Sequence, residues 1–137
     1  MNTTKKTILI ADDDSDYMFI MKSNIEKIAK LENITFEVIT ADNQKEAEEI
    51  LKNTEPDLAI FDLMMENEDS GFILSYQSKK KYPNIKIIIA TAVAAETGIR
   101  FSIDTEAERN WIKADLYLEK GIRFDQLHRE VVKLLNL

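Results

Sequence analysis

Four strand-like apolar runs in the sequence lead into side chains that can do chemistry. The runs and the polar residues after them are Thr7–Ala11 with Asp12 to Asp14, Asp57–Phe61 with Asp62, Ile85–Ala90 with Thr91, and Ala114–Leu118 with Lys120. Parallel strands bring their carboxyl ends to one edge of a sheet, where reactive groups meet. Three carboxylates about 4 Å apart would repel one another by several kcal/mol at an effective dielectric of about 20. The sequence therefore predicts an acidic site at which a bound cation, a raised carboxyl pKa or both relieve this repulsion.

Helical patterns alternate with these runs and connect them. Apolar residues three and four positions apart predict the helices, and a mixed run predicts a further strand near the sheet edge. Helices are predicted over Ser15–Lys30 and Phe72–Tyr82, and a strand over Ile34–Ile39. Between this strand and Pro56, a capping box at Asn43 and Glu46 predicts the start of another helix, which must end before the proline. A last helix is predicted from the apolar stripe Phe124, Leu127, Val131 and Leu134. This alternation predicts an α/β fold with a parallel sheet covered by helices on both faces, and all strand carboxyl ends at one rim.

Length and composition favour one soluble domain, residues 1–137. The 137 residues include no cysteine, which excludes disulfides and cysteine nucleophiles and favours a reducing cytoplasm. The net charge of -7 argues against nonspecific nucleic-acid binding, which depends on cationic side chains. No apolar stretch near the amino terminus is long enough for a signal peptide or membrane span, so no membrane association is expected. A protein or small-molecule partner is favoured.

Four segments together resemble the receiver domain of two-component response regulators, the CheY-like family. They are Ile8–Asp14, Asp57–Met65, Ala90–Ala92 and Leu116–Lys120. The resemblance implies a single doubly wound domain with a five-stranded parallel sheet of order 2-1-3-4-5 and five helices. It also implies a signalling domain, not an enzyme, that receives a phosphoryl group on Asp62 from a histidine kinase or a phosphotransfer protein.

The resemblance further implies a Mg2+ site at the acidic rim. Asp12 and Asp13 would carry the ion directly or through water, with Asp62 and the backbone carbonyl of Met64 completing the protein's ligands. Mg2+ suits such a set because it is a hard ion that prefers oxygen ligands and keeps several waters.

Three further residues take roles in phosphoryl binding and switching by the same resemblance. Lys120 would pair with the phosphoryl group, the Thr91 hydroxyl would donate to it, and Tyr117 would follow Thr91 inward to change a protein-binding surface. The alternative for Tyr117 is an edge-strand tyrosine with its hydroxyl in water. The expected partners are the phosphoryl donor and a downstream protein, and a homodimer is left open.

Departures from the family pattern give separate predictions. Gly121 replaces the usual proline after Lys120, and because a cis non-prolyl bond costs about 2.5 to 4 kcal/mol, a trans bond or an altered turn is expected there. The segment Met64–Gly71 lacks the usual proline, so a more mobile loop is expected. Extra residues within Ala94–Asn110 put the helix between the last two strands in question.

Met64 and Val93 are apolar at the positions that flank the hydrolytic water in the family, which motivates a hypothesis of slow self-dephosphorylation.

His128 is interpreted as a surface residue, and Trp111 as a packing residue. The expected protein is a receiver domain without an output domain.

Two other functional classes remain open. One is a receiver-like interaction module that works without phosphorylation. The other is a small phosphatase with an aspartyl nucleophile, which is disfavoured because Met64 stands where such enzymes place a second acid. A flavodoxin-like cofactor carrier is weaker still, since no phosphate loop follows the first strand.

Overall fold

The computed structural model describes residues 5–92 and 114–137. Within these ranges the chain forms five strands and four helices. In chain order they are β1 (Lys5–Ala11), α1 (Ser15–Glu32), β2 (Thr35–Ala41), α2 (Gln44–Asn53), β3 (Leu58–Asp62), α3 (Ser70–Lys81), β4 (Lys86–Thr91), β5 (Leu116–Glu119) and α4 (Phe124–Leu135). The predicted helix between the last two strands, with Val93, Ala94–Asn110 and Trp111, lies outside the described residues.

The five strands form one parallel sheet in the order β2-β1-β3-β4-β5, which confirms the predicted topology. The strand that was predicted near an edge, β2, is an edge strand. Within the pairings, Ala11 lies opposite Phe61, Asp62 opposite Ala90, and Thr91 opposite Glu119. This register aligns the carboxyl ends of the four strands that carry the polar residues.

Each face of the sheet carries its own apolar core. Leu9, Ala11, Ile87 and Ile89 point to the face covered by α2 and α3. Their neighbours along the same strands point to the opposite face, under α1 and α4. All five residues of β3 are buried, as expected for a central strand with helices on both sides. The sheet is therefore doubly wound, and its central strand ends at Asp62.

Two helix starts are fixed by side-chain caps. The Asp14 carboxylate accepts hydrogen bonds from the amides of Asp16 and Tyr17, which starts α1 immediately after the acidic cluster. At α2, Asn43 accepts from the Glu46 amide at 2.7 Å. The Glu46 carboxylate accepts in turn from the amide of Asp42 at 2.7 Å, one residue earlier than in an ordinary capping box.

The backbone after β5 follows the sequence prediction. No peptide bond among the described residues is cis, so Lys120 and Gly121 are joined by a trans bond. Each helix in the described ranges is too short or too polar to span a membrane.

Candidate functional site

Three carboxylates at the carboxyl ends of two strands converge at the rim of the sheet. One carboxylate oxygen from each of Asp12, Asp13 and Asp62 lies within 4.8 Å of the others. Asp12 and Asp62 are buried, with 1% and 7% of their surfaces exposed, whereas Asp13 is open to solvent. The predicted convergence is therefore present, and the cluster is reached from the Asp13 side.

Lys120 supplies the positive charge between two of these acids. Its Nζ lies 2.8 Å from Asp12 Oδ2 and 3.4 Å from Asp62 Oδ1. The Lys120 amide donates to the Thr91 carbonyl at 2.9 Å, which attaches the turn after β5 to the end of β4. Burial lowers the pKa of Lys120, but the hydrogen bond and charge of Asp12 and the charge of Asp62 outweigh burial and raise it. The ammonium group is therefore charged at neutral pH.

Asp62 occupies an electrostatically unfavourable position for a carboxylate. Burial, followed by the negative charge of Asp12, raises its pKa to about 7, against the opposing attraction of Lys120. One ammonium group thus does not compensate three neighbouring acids. An all-oxygen cluster with this excess of negative charge fits a hard divalent cation.

The other predicted site residues lie at different depths. Thr91 is buried at the end of β4, on the strand next to Asp62. Met64 is exposed, two residues after Asp62.

Tyr117 packs its ring against Phe72 edge to face, with centroids 6.4 Å apart. Its hydroxyl is buried and has no hydrogen-bond partner among the described residues, which argues against the alternative of a hydroxyl in water. Burial raises the pKa of Tyr117 to about 12.

Tyr17 is a component of the site that the sequence interpretation did not identify. Lys120 Nζ lies 4.6 Å from the centroid of the Tyr17 ring. The tyrosine hydroxyl is buried without a hydrogen-bond partner in the described part of the chain. The sequence indicated only that Tyr17 lies four residues before Met21, on the same face of α1, and gave no sign of its contact with Lys120.

The backbone of α3 lies directly against the chain that follows Asp62. The amide of Gly71 donates to the Leu63 carbonyl at 2.8 Å. A Cβ at position 71 would stand 2.7 Å from the backbone oxygen of Asp62, closer than atoms of this kind approach one another. Glycine is therefore required at this position for the close contact between α3 and the end of β3.

The loop after Asp62 is also attached to α2. The Glu66 carboxylate accepts from the amides of Gln44 and Lys45 at 2.7 and 3.3 Å. Because the first amides of a helix have no partner within the helix, Glu66 satisfies two donors that would otherwise face water. Greater mobility of this loop stays a prediction, but its middle has a defined anchor.

Replacing Glu66 with alanine should lower the free energy of unfolding by about 1 kcal/mol, the usual cost of losing a helix amino-terminal cap. Urea unfolding of the variant measures the change. Glu68→Ala is the matched control, because Glu68 is also exposed on this loop and makes no side-chain hydrogen bond to α2. Equal unfolding midpoints for the two variants would show that the contact contributes nothing.

His128 lies away from the acidic rim. Its Nε2 is 2.8 Å from Glu32 Oε2, which joins α4 to the end of α1. His128 was interpreted as a surface residue, but its side chain is only 26% exposed and contributes to the packing between these two helices.

Comparison with known proteins gives a consistent set of similarities. The family model described as the response regulator receiver domain matches residues 8–132. A curated protein, a probable transcriptional regulator ycf27 from Porphyra purpurea, is 32% identical over 93 residues. That match covers 68% of this chain and 35% of the ycf27 protein, so the chain spans about a third of the relative's length.

Solved structures show the same fold. The response regulator TrrA from Thermotoga maritima, in complex with Mg(2+)-BeF, is 27% identical with a TM-score of 0.74, covering 95% of this chain and 99% of that one. A putative response regulator from Chloroflexus aurantiacus is 25% identical with a TM-score of 0.73, covering 98% of this chain and all of the other. The receiver domain of a Pseudomonas aeruginosa sensor histidine kinase, with a magnesium ion in its active site cleft, has a TM-score of 0.75 at 14% identity and shows the fold alone.

Proposed function

This chain belongs to the response regulator receiver domain family, a family of signalling domains, and we propose that it accepts a phosphoryl group on Asp62. The donor would be a histidine kinase or a phosphotransfer protein. The observation that carries the proposal is the position of the Asp62 carboxylate, which lies beside two other acids and 3.4 Å from the Lys120 ammonium group.

The chemistry explains why these residues surround Asp62. A carboxylate oxygen would attack phosphorus while the bond between phosphorus and the donor's leaving atom breaks, which conserves the phosphoryl group as an acyl phosphate. Both partners are anionic, so positive charge and correct positioning must lower the barrier. Lys120 would pair with a phosphoryl oxygen, and the hydroxyl of Thr91 would donate a hydrogen bond to another.

Mg2+ fits the acidic cluster. The carboxylates of Asp12, Asp13 and Asp62 would hold it, together with the backbone carbonyl of Met64. When bound, the ion neutralises charge on the carboxylates and on the phosphoryl oxygens. The residues of this chain provide the oxygen ligands, and the excess of negative charge around Asp62 supplies the reason for binding.

Signalling would proceed through a change of surface. Phosphoryl binding would draw the Thr91 hydroxyl toward the rim, and the ring of Tyr117 on β5, which packs against Phe72, would respond. A downstream protein in the cytoplasm would then bind the altered surface. A ligand can shift such an equilibrium only by contacting the two states differently, and Thr91 is the contact proposed to differ.

Phosphorylation by acetyl phosphate tests the proposed function. In the presence of Mg2+, intact mass should show one added phosphoryl group on the wild-type protein and none on Asp62→Asn. Asp69→Asn is the matched control, because it removes one exposed carboxylate from the same loop and should accept the group normally. Steady consumption of acetyl phosphate would favour the phosphatase alternative, and an unmodified, folded protein would favour the phosphorylation-independent module.

The phosphoryl group should also persist on the protein, and a lifetime of seconds would contradict the hypothesis of slow self-dephosphorylation.

A further inference from the structure

We propose that the ring of Tyr17 positions the Lys120 ammonium group for the phosphoryl group that Asp62 would carry. The inference rests on the proposed phosphorylation of Asp62 and adds a residue that acts through Lys120. Tyr17 stands outside the four segments whose pattern indicated the site, so its role follows from the structure alone.

The contact between Tyr17 and Lys120 is direct. The ammonium nitrogen lies 4.6 Å from the ring centroid, inside the range of about 6 Å over which the negative face of an aromatic ring attracts a cation. The Lys120 side chain is only 17% exposed, and this attraction is stronger when the cation is removed from water. The ring is therefore an energetically significant neighbour of the ammonium group.

The ring itself is held in place. The Tyr17 amide donates to Asp14 Oδ1 at 3.2 Å, which fixes the first turn of α1 beside the rim. The ring also packs against the apolar core under α1. Because the backbone is capped and the ring is partly buried, Tyr17 provides a stable surface for a flexible lysine side chain.

Lys120 needs such a surface when a cation occupies the acidic cluster. Its ammonium group lies closer to Asp12, at 2.8 Å, than to Asp62, at 3.4 Å. A divalent cation would compete for the Asp12 carboxylate and weaken that attachment. A lysine released in this way regains rotamer freedom along its four-carbon chain. The Tyr17 ring face has no carboxylate oxygen for a divalent cation to coordinate, so the ring would still attract the Lys120 ammonium group.

The tyrosine stays neutral in this position. Its pKa is raised first by burial and then by the negative charges of Asp12 and Asp62. A phenolate would add a further negative charge to the cluster, whereas the neutral phenol presents only its ring face to Lys120. The ring is therefore the part of Tyr17 expected to act.

Two substitutions separate the ring from the hydroxyl. Tyr17→Leu removes the aromatic face and keeps apolar volume, and it should lower the rate of phosphorylation by acetyl phosphate with Mg2+ roughly tenfold. Tyr17→Phe keeps the face and should stay within about twofold of the wild type. In a Lys120→Ala background, Tyr17→Leu should cause no further loss, which a purely structural role of Tyr17 would not predict.

A second measurement tests the contact without phosphorylation. The Lys120 side-chain protons should show an upfield ring-current shift by NMR in the wild type and in Tyr17→Phe, and should lose it in Tyr17→Leu. Tyr17→Met replaces Tyr17→Leu if the leucine variant does not fold.

The outcomes distinguish this inference from the proposed function. A phosphorylated wild type with an equally fast Tyr17→Leu variant would overturn the inference and leave the function standing. Equal losses in the leucine and phenylalanine variants would also overturn it, because the hydroxyl would then be the active group. A wild type that takes no phosphoryl group would refute the function, and the NMR shift would still decide whether the ring holds Lys120.

Discussion

Asp62→Asn should make the metal-free protein more stable than the wild type at pH 8. The pKa of Asp62 rises from an ordinary value of 3.8 to about 7 in the folded chain, mainly because the carboxyl group is buried and then because Asp12 is negative. A group that binds its proton more tightly when folded favours folding at low pH, and this contribution is lost as the pH rises through the folded pKa. Three pKa units correspond to at most about 4 kcal/mol, so a gain of that order is the upper bound for the neutral asparagine.

The pH window follows from the same two pKa values. Well below the ordinary pKa of 3.8 the carboxyl group is protonated in both the folded and the unfolded chain, so the variant should resemble the wild type. The difference in unfolding free energy should grow between pH 4 and 7 and then level off, as measured by urea unfolding with a chelator present. Asp69→Asn controls for the loss of one negative charge at an exposed position. A constant difference from pH 4 to 8 would show that Asp62 does not titrate as the structure requires.

The convergence of the acidic site could be predicted from the sequence because it depends mainly on strand ends. Short apolar runs separated by helical patterns leave few alternatives to a parallel sheet. Once the sheet is parallel, Asp12, Asp62, Thr91 and Lys120 share a rim whatever the details of the loops. The register pairs Asp62 with Ala90 and Thr91 with Glu119, and so brings these strand ends to the same rim.

Contacts across the chain could not be predicted in this way. The stripe that identified α1 was taken to begin at Met18, and nothing local indicated that the Tyr17 ring would lie beside Lys120, more than 100 residues later. Dependence on contacts with other strands also explains why β5 begins at Leu116, two residues after the start of the predicted run at Ala114. Asp115 accepts a hydrogen bond from the Ile87 amide with its side chain at 2.8 Å, an interaction that depends on β4.

The start of α3 was missed for a related reason. The helix begins at Ser70, two residues before the predicted Phe72, and its first turn contains Gly71. Glycine disfavours helix by about 1 kcal/mol relative to alanine, so local preference argued against this turn. The turn forms there because the glycine backbone packs on Asp62 and Leu63, a tertiary contact that outweighs the local preference.

Gly71→Ala should therefore destabilise the protein, although alanine is the better helix former. The added Cβ would lie 2.7 Å from the Asp62 backbone oxygen and 2.9 Å from Leu63 Cα. Neither atom can rotate away, so the backbone at the end of β3 or the start of α3 must move. Overpacking of this kind costs about 1–3 kcal/mol, which over most of that range is more than the gain of about 1 kcal/mol in helix propensity. Because the displaced backbone carries the Asp62 side chain, phosphorylation by acetyl phosphate should also slow.

Gly121→Ala is the matched control and should change stability in the opposite direction. A Cβ at position 121 meets no atom within 4 Å, and the residue does not have a positive φ. At such a position alanine stabilises by about 0.4–1 kcal/mol, because it restricts the unfolded chain more than the folded one. Both glycines lie close to the proposed site, one near Asp62 and the other next to Lys120, so general sensitivity of this region would affect both variants alike. Urea unfolding that shows a loss at position 71 and a gain at 121 would assign the effect to the contact with Asp62, and a gain at both positions would contradict it.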